Sequence, residues 1–155
     1  MSASSLIFNR TSQDVKNAAK IREDVLKEFQ TPTAEQLAIL EKGFVTYNTI
    51  NRIESKQAEL MESLQSKGYW QNDISTKADW DNEDVFYQVD LDRIIANLAK
   101  LKLSFFVYAT TPSIPEAVLH YDNFNAIEKI LFDIDEIIAK MVAEYKICGD
   151  YVCGG

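Results

Sequence analysis

Residues 127–145 read Ile-Glu-Lys-Ile-Leu-Phe-Asp-Ile-Asp-Glu-Ile-Ile-Ala-Lys-Met-Val-Ala-Glu-Tyr. Ile127, Ile130, Leu131, Ile134, Ile137, Ile138, Met141 and Tyr145 return every three or four positions, the period that gathers side chains onto one face of an α-helix. The stripe is wide for a single face. Width of this kind means burial on two sides, either at the centre of a bundle or in a helix shared with a neighbouring subunit. Asp122 or Asn123 is placed to cap this helix and Gly149 to stop it just after Cys148. Residues 149–155 then form a short tail, in which Tyr151 and Val152 pair as an edge strand or dock on the core.

The same period recurs upstream, whereas strand-like alternation is nearly absent. Thr11 or Ser12 caps a first helix running to about Phe29, with Val15, Ala18, Ala19, Ile21, Val25, Leu26 and Phe29 on its apolar face. Pro32 restarts the chain at a first helical position, where its missing N–H costs nothing, and Gly43 ends a short second helix. A third helix from Thr46 or Asn48 turns Ile50, Ile53, Gln57, Leu60, Met61 and Leu64 inward and Arg52, Lys56, Glu59 and Glu62 to solvent. Gly68 supplies its left-handed stop. A fourth spans about residues 88–106, with Leu91, Ile94, Ile95, Leu98, Leu101 and Phe105 on one stripe and Pro112 and Pro115 to break it. Residues 69–87 lack a helical period and read as a connector with short extended pieces around Trp70 and Trp80. The expected fold is all-α: a compact bundle of about five helices, a Trp-containing extended connector and at most a minor pair of short strands. One domain covers residues 1–155, with residues 1–10 as an N-terminal arm and 149–155 as a tail.

A chain of 155 residues buries roughly 68–70% of the surface its unfolded form exposes, so it needs neither metal nor disulfide to hold a core. Its 24 acidic and 16 basic residues leave a net charge of −8. Residues 1–68 balance at nine and nine, while residues 69–155 hold fifteen acids and seven bases and thus the whole excess. Such an acidic balance argues against a nucleic-acid partner, because phosphate contacts come from Lys and Arg. The apolar windows are interrupted by charges and fall short of the ~20 residues a membrane span requires. Leu6-Ile7-Phe8 has no basic region before it and no small-residue cleavage site after it, so no secretory signal is expected. Cys148 and Cys153 fit no zinc, haem or thioredoxin-type spacing and imply no disulfide scaffold.

Candidate chemistry is sparse. His120 is the only histidine and has no Ser, Cys or Asp partner at helical spacing, so it reads as a helix-entry residue rather than a catalyst. No cysteine or serine carries the flanking signature of a nucleophile. Asp79-Trp-Asp-Asn-Glu-Asp84 begins like a calcium loop, yet Asp84 stands where the sharp turn needs Gly, and Asp90 where a bidentate Glu belongs. It reads as a solvated acidic loop whose carboxylates cap the fourth helix, and no cofactor or metal is expected. Tyr69, Trp70, Trp80, Phe86 and Tyr87 gather five aromatics within nineteen residues. With Asp81, Glu83 and Asp84 they form the candidate interface. Aromatics flanked by carboxylates serve core packing, a protein partner or a sugar ring, and the residues alone leave all three open.

Several short motifs in chain order carry a resemblance. Phe8-Asn-Arg-Thr-Ser-Gln-Asp-Val15, Lys42-Gly-Phe-Val-Thr-Tyr-Asn48, Asn51-Arg-Ile-Glu54, Lys77-Ala-Asp-Trp80 with Asp84-Val85, Asn125-Ala-Ile-Glu-Lys-Ile130 and Gly149-Asp-Tyr-Val152 are similar to the corresponding pieces of one family. It comprises small structural proteins encoded in the tail or baseplate gene region of tailed bacteriophages and prophages of Gram-positive bacteria. The chain departs from that pattern in its short stretch between Asn48 and Asn51, in Phe86 where Pro is frequent, and in its two cysteines. The resemblance implies a non-enzymatic virion component, made in the host bacterial cytoplasm and acting as an assembly adaptor. Its expected partners are other tail or baseplate proteins and possible further copies of itself. The rival expectation is a module on the phage tail that binds a host cell-wall glycan or receptor.

Overall fold

The computed structural model describes residues 6–69, 74–104, 106–118 and 120–152, with side chains described as far as Met141. The chain is all-α, and the described residues form five helices: α1 (Ser12–Glu28), α2 (Ala34–Gly43), α3 (Tyr47–Ser66), α4 (Gln88–Ser104) and α5 (Tyr121–Val152). Among the described residues there is no strand, so the allowance for a strand pair is not used.

Helices α3, α4 and α5 pack pairwise into a three-helix body, while α1 and α2 pack chiefly on each other as a hairpin. Ile53, Leu60 and Leu64 of α3, Ile94, Leu98 and Leu101 of α4, and Ile127, Ile130, Leu131 and Ile134 of α5 are fully buried in one cluster. The wide stripe of α5 is explained by α3 on one side and α4 on the other. Leu6 and Trp80 close the same cluster from outside the helices. The N-terminal arm is therefore part of the core, with the Phe8 ring 4.9 Å from that of Phe132.

The helix ends follow local chemistry. Thr11 and Asp14 form a reciprocal capping box on α1, and Thr33 and Gln36 do the same on α2. At Gly68 (φ 75°) the end of α3 is a Schellman turn, with Tyr69 N–H donating to Leu64 C=O and Gly68 N–H to Gln65 C=O. At α5 the N-cap position falls on His120, whose backbone N–H donates to Asn123 Oδ1 at 3.0 Å, and Asp122 Oδ1 accepts the Asn123 N–H at 3.1 Å.

Five expectations need correction. First, α5 does not stop at Gly149 but runs on through it to Val152, so Tyr151 and Val152 are helical. A glycine inside a helix costs about 1 kcal/mol against alanine, which permits a stop without imposing one. Second, α4 ends at Ser104, well short of Pro112 and Pro115, and Phe106 lies beyond it, exposed. Third, the apolar face of α1 is not a buried face: Ala18 is buried, whereas Leu26 is 62% and Phe29 97% exposed. Fourth, Pro32 is not at the first helical position, because α2 begins at Ala34 with Thr33 as its cap. Gly43 ends α2 as expected, though without a positive φ. It is required because α1 crosses so closely that a Cβ there would overlap Ala18 Cβ and the Asp14 carbonyl oxygen. Fifth, Arg52 and Lys56 are not on a solvated face. Their side chains are 11% and 3% exposed and pair across the body, Lys56 with Asp135 of α5 at 3.1 Å.

Candidate functional site

The connector is fastened by one buried carboxylate. Glu54 is fully buried on α3. It accepts from Trp80 Nε1 at 2.6 Å, from the Lys77 backbone N–H at 3.1 Å, and from Arg93 of α4 at 2.9–3.2 Å. A buried carboxylate is tolerated only when its oxygens are satisfied in this way. One turn earlier, Asn51 grips the backbone of Trp80 from both sides, accepting its N–H at 2.8 Å and donating to its C=O at 2.7 Å. Further along, Asn97 of α4 donates to Ser75 C=O at 2.7 Å. Residues 74–80 thus lie extended across α3 and α4 with their polar groups matched by side chains rather than by a strand.

A second carboxylate fastens the N-terminal arm. Glu128 of α5, fully buried, accepts from Arg10 Nη2 at 2.8 Å, from Arg52 at 3.0 and 3.2 Å, and from the Ile7 backbone N–H. Asn125 completes the clamp, accepting from the Arg10 backbone N–H at 3.1 Å and donating to its C=O at 2.8 Å. Arg52 also reaches Glu41 at 3.3 Å, linking the end of α2 to the same cluster.

These two centres decide what the connector shows to solvent. Trp80 is 6% exposed, with Lys77 Nζ 4.0 Å above its ring and Phe86 edge-on at 5.4 Å. Among the candidate interface residues it is therefore a packing residue, and its faces are not open to a sugar. Trp70 lies outside the described residues. Tyr69 is half exposed beside Leu103, Phe106 and Val107, in a different surface hollow from Trp80 and Phe86. Phe86 and Tyr87 remain on the surface, 38% and 62% exposed. Hence the four described aromatics do not make one platform.

The acidic residues divide in the same way. Asp81 Oδ1 accepts the backbone N–H groups of Glu83 and Asp84 at 2.8 and 3.2 Å, and Asp84 Oδ2 accepts that of Asp81 at 3.1 Å, a self-closed turn. Asp84 also holds Lys77 at 2.8 Å. The hydrogen bond to Asp84 raises the Lys77 ammonium above its ordinary range, and the charges of Asp79 and Asp81 add to it. The same bond lowers the Asp84 carboxyl. The cap of α4 comes from Asp90, which accepts the Tyr87 N–H at 3.0 Å, and not from the acidic turn as expected. The exposed Glu83 carboxylate has no hydrogen bond or ion pair with the described residues.

Between the connector, the start of α3 and the entry to α5 lies an open cleft of about 490 Å3. Val45, Tyr47, Phe86, Val118 and Phe124 form its apolar walls, Trp80 and Ile50 its floor, and Asp81, Asn82 and Asp84 one lip. Its wall residues Val45 and Tyr47 are 41% and 45% exposed. Sequence reading finds Phe86, Tyr87 and the acidic lip but misses Val45 and Tyr47, because no local pattern marks an apolar residue that faces outward at a helix start. Among the described residues no three His, Cys, Asp or Glu side chains stand together as a metal site, and no helix is long and apolar enough to cross a membrane.

Fold and cleft together define a small helical bundle with an apolar, acid-lipped cleft. No family model, curated protein or solved structure matches the chain.

Proposed function

We propose that the chain is a non-enzymatic building block of a phage virion, associated with the tail or baseplate, that joins other virion proteins through the face around the cleft. The observation that carries the adaptor role is the apolar surface of Val45, Tyr47 and Phe86 at the cleft, left uncovered on a body whose core is already closed. Contiguous exposed apolar surface rimmed by polar groups is a mark of protein contact. The virion setting is supported by the sequence resemblance, whose motif residues Arg10, Arg52, Glu54, Trp80 and Glu128 occupy the two fastening centres. The glycan-binding alternative is weakened by the burial of Trp80, which leaves it without that stacking face. Mass spectrometry of particles purified from cells that carry the gene tests the proposal. The chain is expected at a fixed ratio to the tail proteins, and its absence from intact particles would overturn the virion reading.

A further inference from the structure

The cleft also specifies what enters it. Its walls are apolar and its volume, about 490 Å3, accommodates one or two large side chains. Its lip is one-sided in charge. Asp79, Asp81, Glu83 and Asp84 stand within six residues. The cation beside them, Lys77, is already engaged by Asp84 at 2.8 Å and stacked on Trp80. The next cation inward, Arg93, is committed to Glu54 and Asp90. Among the described residues Asp79, Asp81 and Glu83 form no ion pair with a lysine or arginine; Asp81 lines the apolar hole, and Asp79 and Glu83 are within two residues of it in sequence.

We infer that the cleft docks a segment of another protein that carries an aromatic or large aliphatic anchor flanked by lysine or arginine. The anchor fills the space between Tyr47, Phe86 and Phe124, and the flanking cations meet Asp79, Asp81 and Glu83. A second copy of this chain is the poorer occupant. The exposed apolar residues at the tip of the α1–α2 hairpin, Leu26, Phe29 and Leu37, stand among Glu23, Asp24, Glu28 and Glu35 against Arg22 and Lys27, and Lys27 is already paired with Glu23, so a net negative charge would meet the lip. The inference rests on the adaptor reading of this face, and it is independent of the virion setting.

The test uses the full chain, immobilised, against a displayed library of random twelve-residue peptides, with the best binders resynthesised and titrated by fluorescence anisotropy. Enriched sequences are expected to place Phe, Trp, Leu or Met beside Lys or Arg. Asp79→Asn with Glu83→Gln should weaken the best peptide about fivefold at low salt and flatten its salt dependence, because these are rim charges. Tyr47→Ser should weaken it at every salt concentration. An unchanged circular dichroism spectrum would show that both variants fold. Enrichment of acidic or uncharged peptides, no saturable binding, or binding indifferent to both variants would overturn the inference. So would concentration-dependent self-association abolished by Tyr47→Ser. A chain found in particles whose cleft selects no such peptide would refute this inference alone, whereas selection by a chain absent from particles would refute only the virion setting.

Discussion

Replacing Glu128 by Gln removes the one carboxylate shared by two guanidinium groups. The Arg10 side chain has no exposure and that of Arg52 has 11%. Arg52 keeps Glu41 at 3.3 Å, but Arg10 is left with the neutral oxygens of Ile7 and Asn125. Removing one partner of a buried ion pair strands the other charge and costs about 3–5 kcal/mol. We expect Glu128→Gln to fall in that range, a large share of the ~5–15 kcal/mol that holds a typical domain together. Arg10→Met should be milder, about 1–3 kcal/mol, since Arg52 still neutralises Glu128 and the methionine keeps much of the apolar stem. The double variant should then cost at least about 1 kcal/mol less than the sum, because the amide no longer strands a buried cation at position 10. Urea unfolding followed by far-UV circular dichroism, with a common slope for all four proteins, measures each term. Additive costs, or a Glu128→Gln variant within about 1 kcal/mol of the parent, would refute the buried-charge account of the N-terminal arm.

Ile134→Ala should lose about 2–5 kcal/mol in the same assay, since Ile134 is fully buried where α5 meets its neighbours; parental stability would mean the side chain is not in the core. Gly43→Ala should force α2 away from α1 and speed proteolysis within the hairpin before the body unfolds, and equal cleavage rates would argue against the close crossing. Phe29 adopts a left-handed conformation (φ 49°, ψ 34°) while almost wholly exposed, so Phe29→Gly should raise stability by about 0.5–1 kcal/mol; a loss of that size would show that the ring is packed. Asp14, Asp84 and Asp90 are held below the ordinary value of 3.8 chiefly by the Thr11 hydroxyl, Lys77 and the Tyr87 N–H respectively. What they contribute is complete above that value and is lost as pH falls through their lower folded values. Their NMR titration midpoints should lie under 3.8, and midpoints at or above it would contradict the caps and the turn.

Much of this architecture is legible in the sequence because helical periodicity reports burial directly. Ile53, Leu60 and Leu64, Ile94, Leu98 and Leu101, and the stripe of α5 are all buried where their spacing places them. Gly68 is a stop because no other signal competes at that position. The misplaced solvent face of α3 has a clear cause. Periodicity treats charge as a sign of solvent, yet Glu54, Lys56 and Glu128 are buried and the Arg52 side chain is only 11% exposed, each compensated by partners distant in sequence. A pairing that joins residues 10, 52 and 128 leaves no local signature. The candidate interface is half legible for the same reason. Its acidic turn and Phe86 are contiguous, whereas Val45, Tyr47 and Phe124 reach the cleft only through the fold.

The residues that lock the chain together do a different job from those that form the apolar walls of the cleft, although Val45 and Tyr47 of those walls also fall within the resembling motifs. Asn51, Glu54 and Trp80 lock the connector, while Arg10, Arg52, Asn125 and Glu128 lock the N-terminal arm. Each set joins segments that cannot pair by secondary structure, so side-chain groups of particular type and reach must do it. Polar groups buried in this way tolerate little change, because a single unmatched partner costs more than the matched pair contributes. The apolar wall of Val45, Tyr47 and Phe86 is under no such constraint from folding, for each is at least 38% exposed. The locks and the exposed wall can therefore be changed separately. Tyr47→Ser with Phe86→Ser should weaken the peptide selected by the cleft while moving the urea midpoint little, and a large loss of stability would show that the wall belongs to the core.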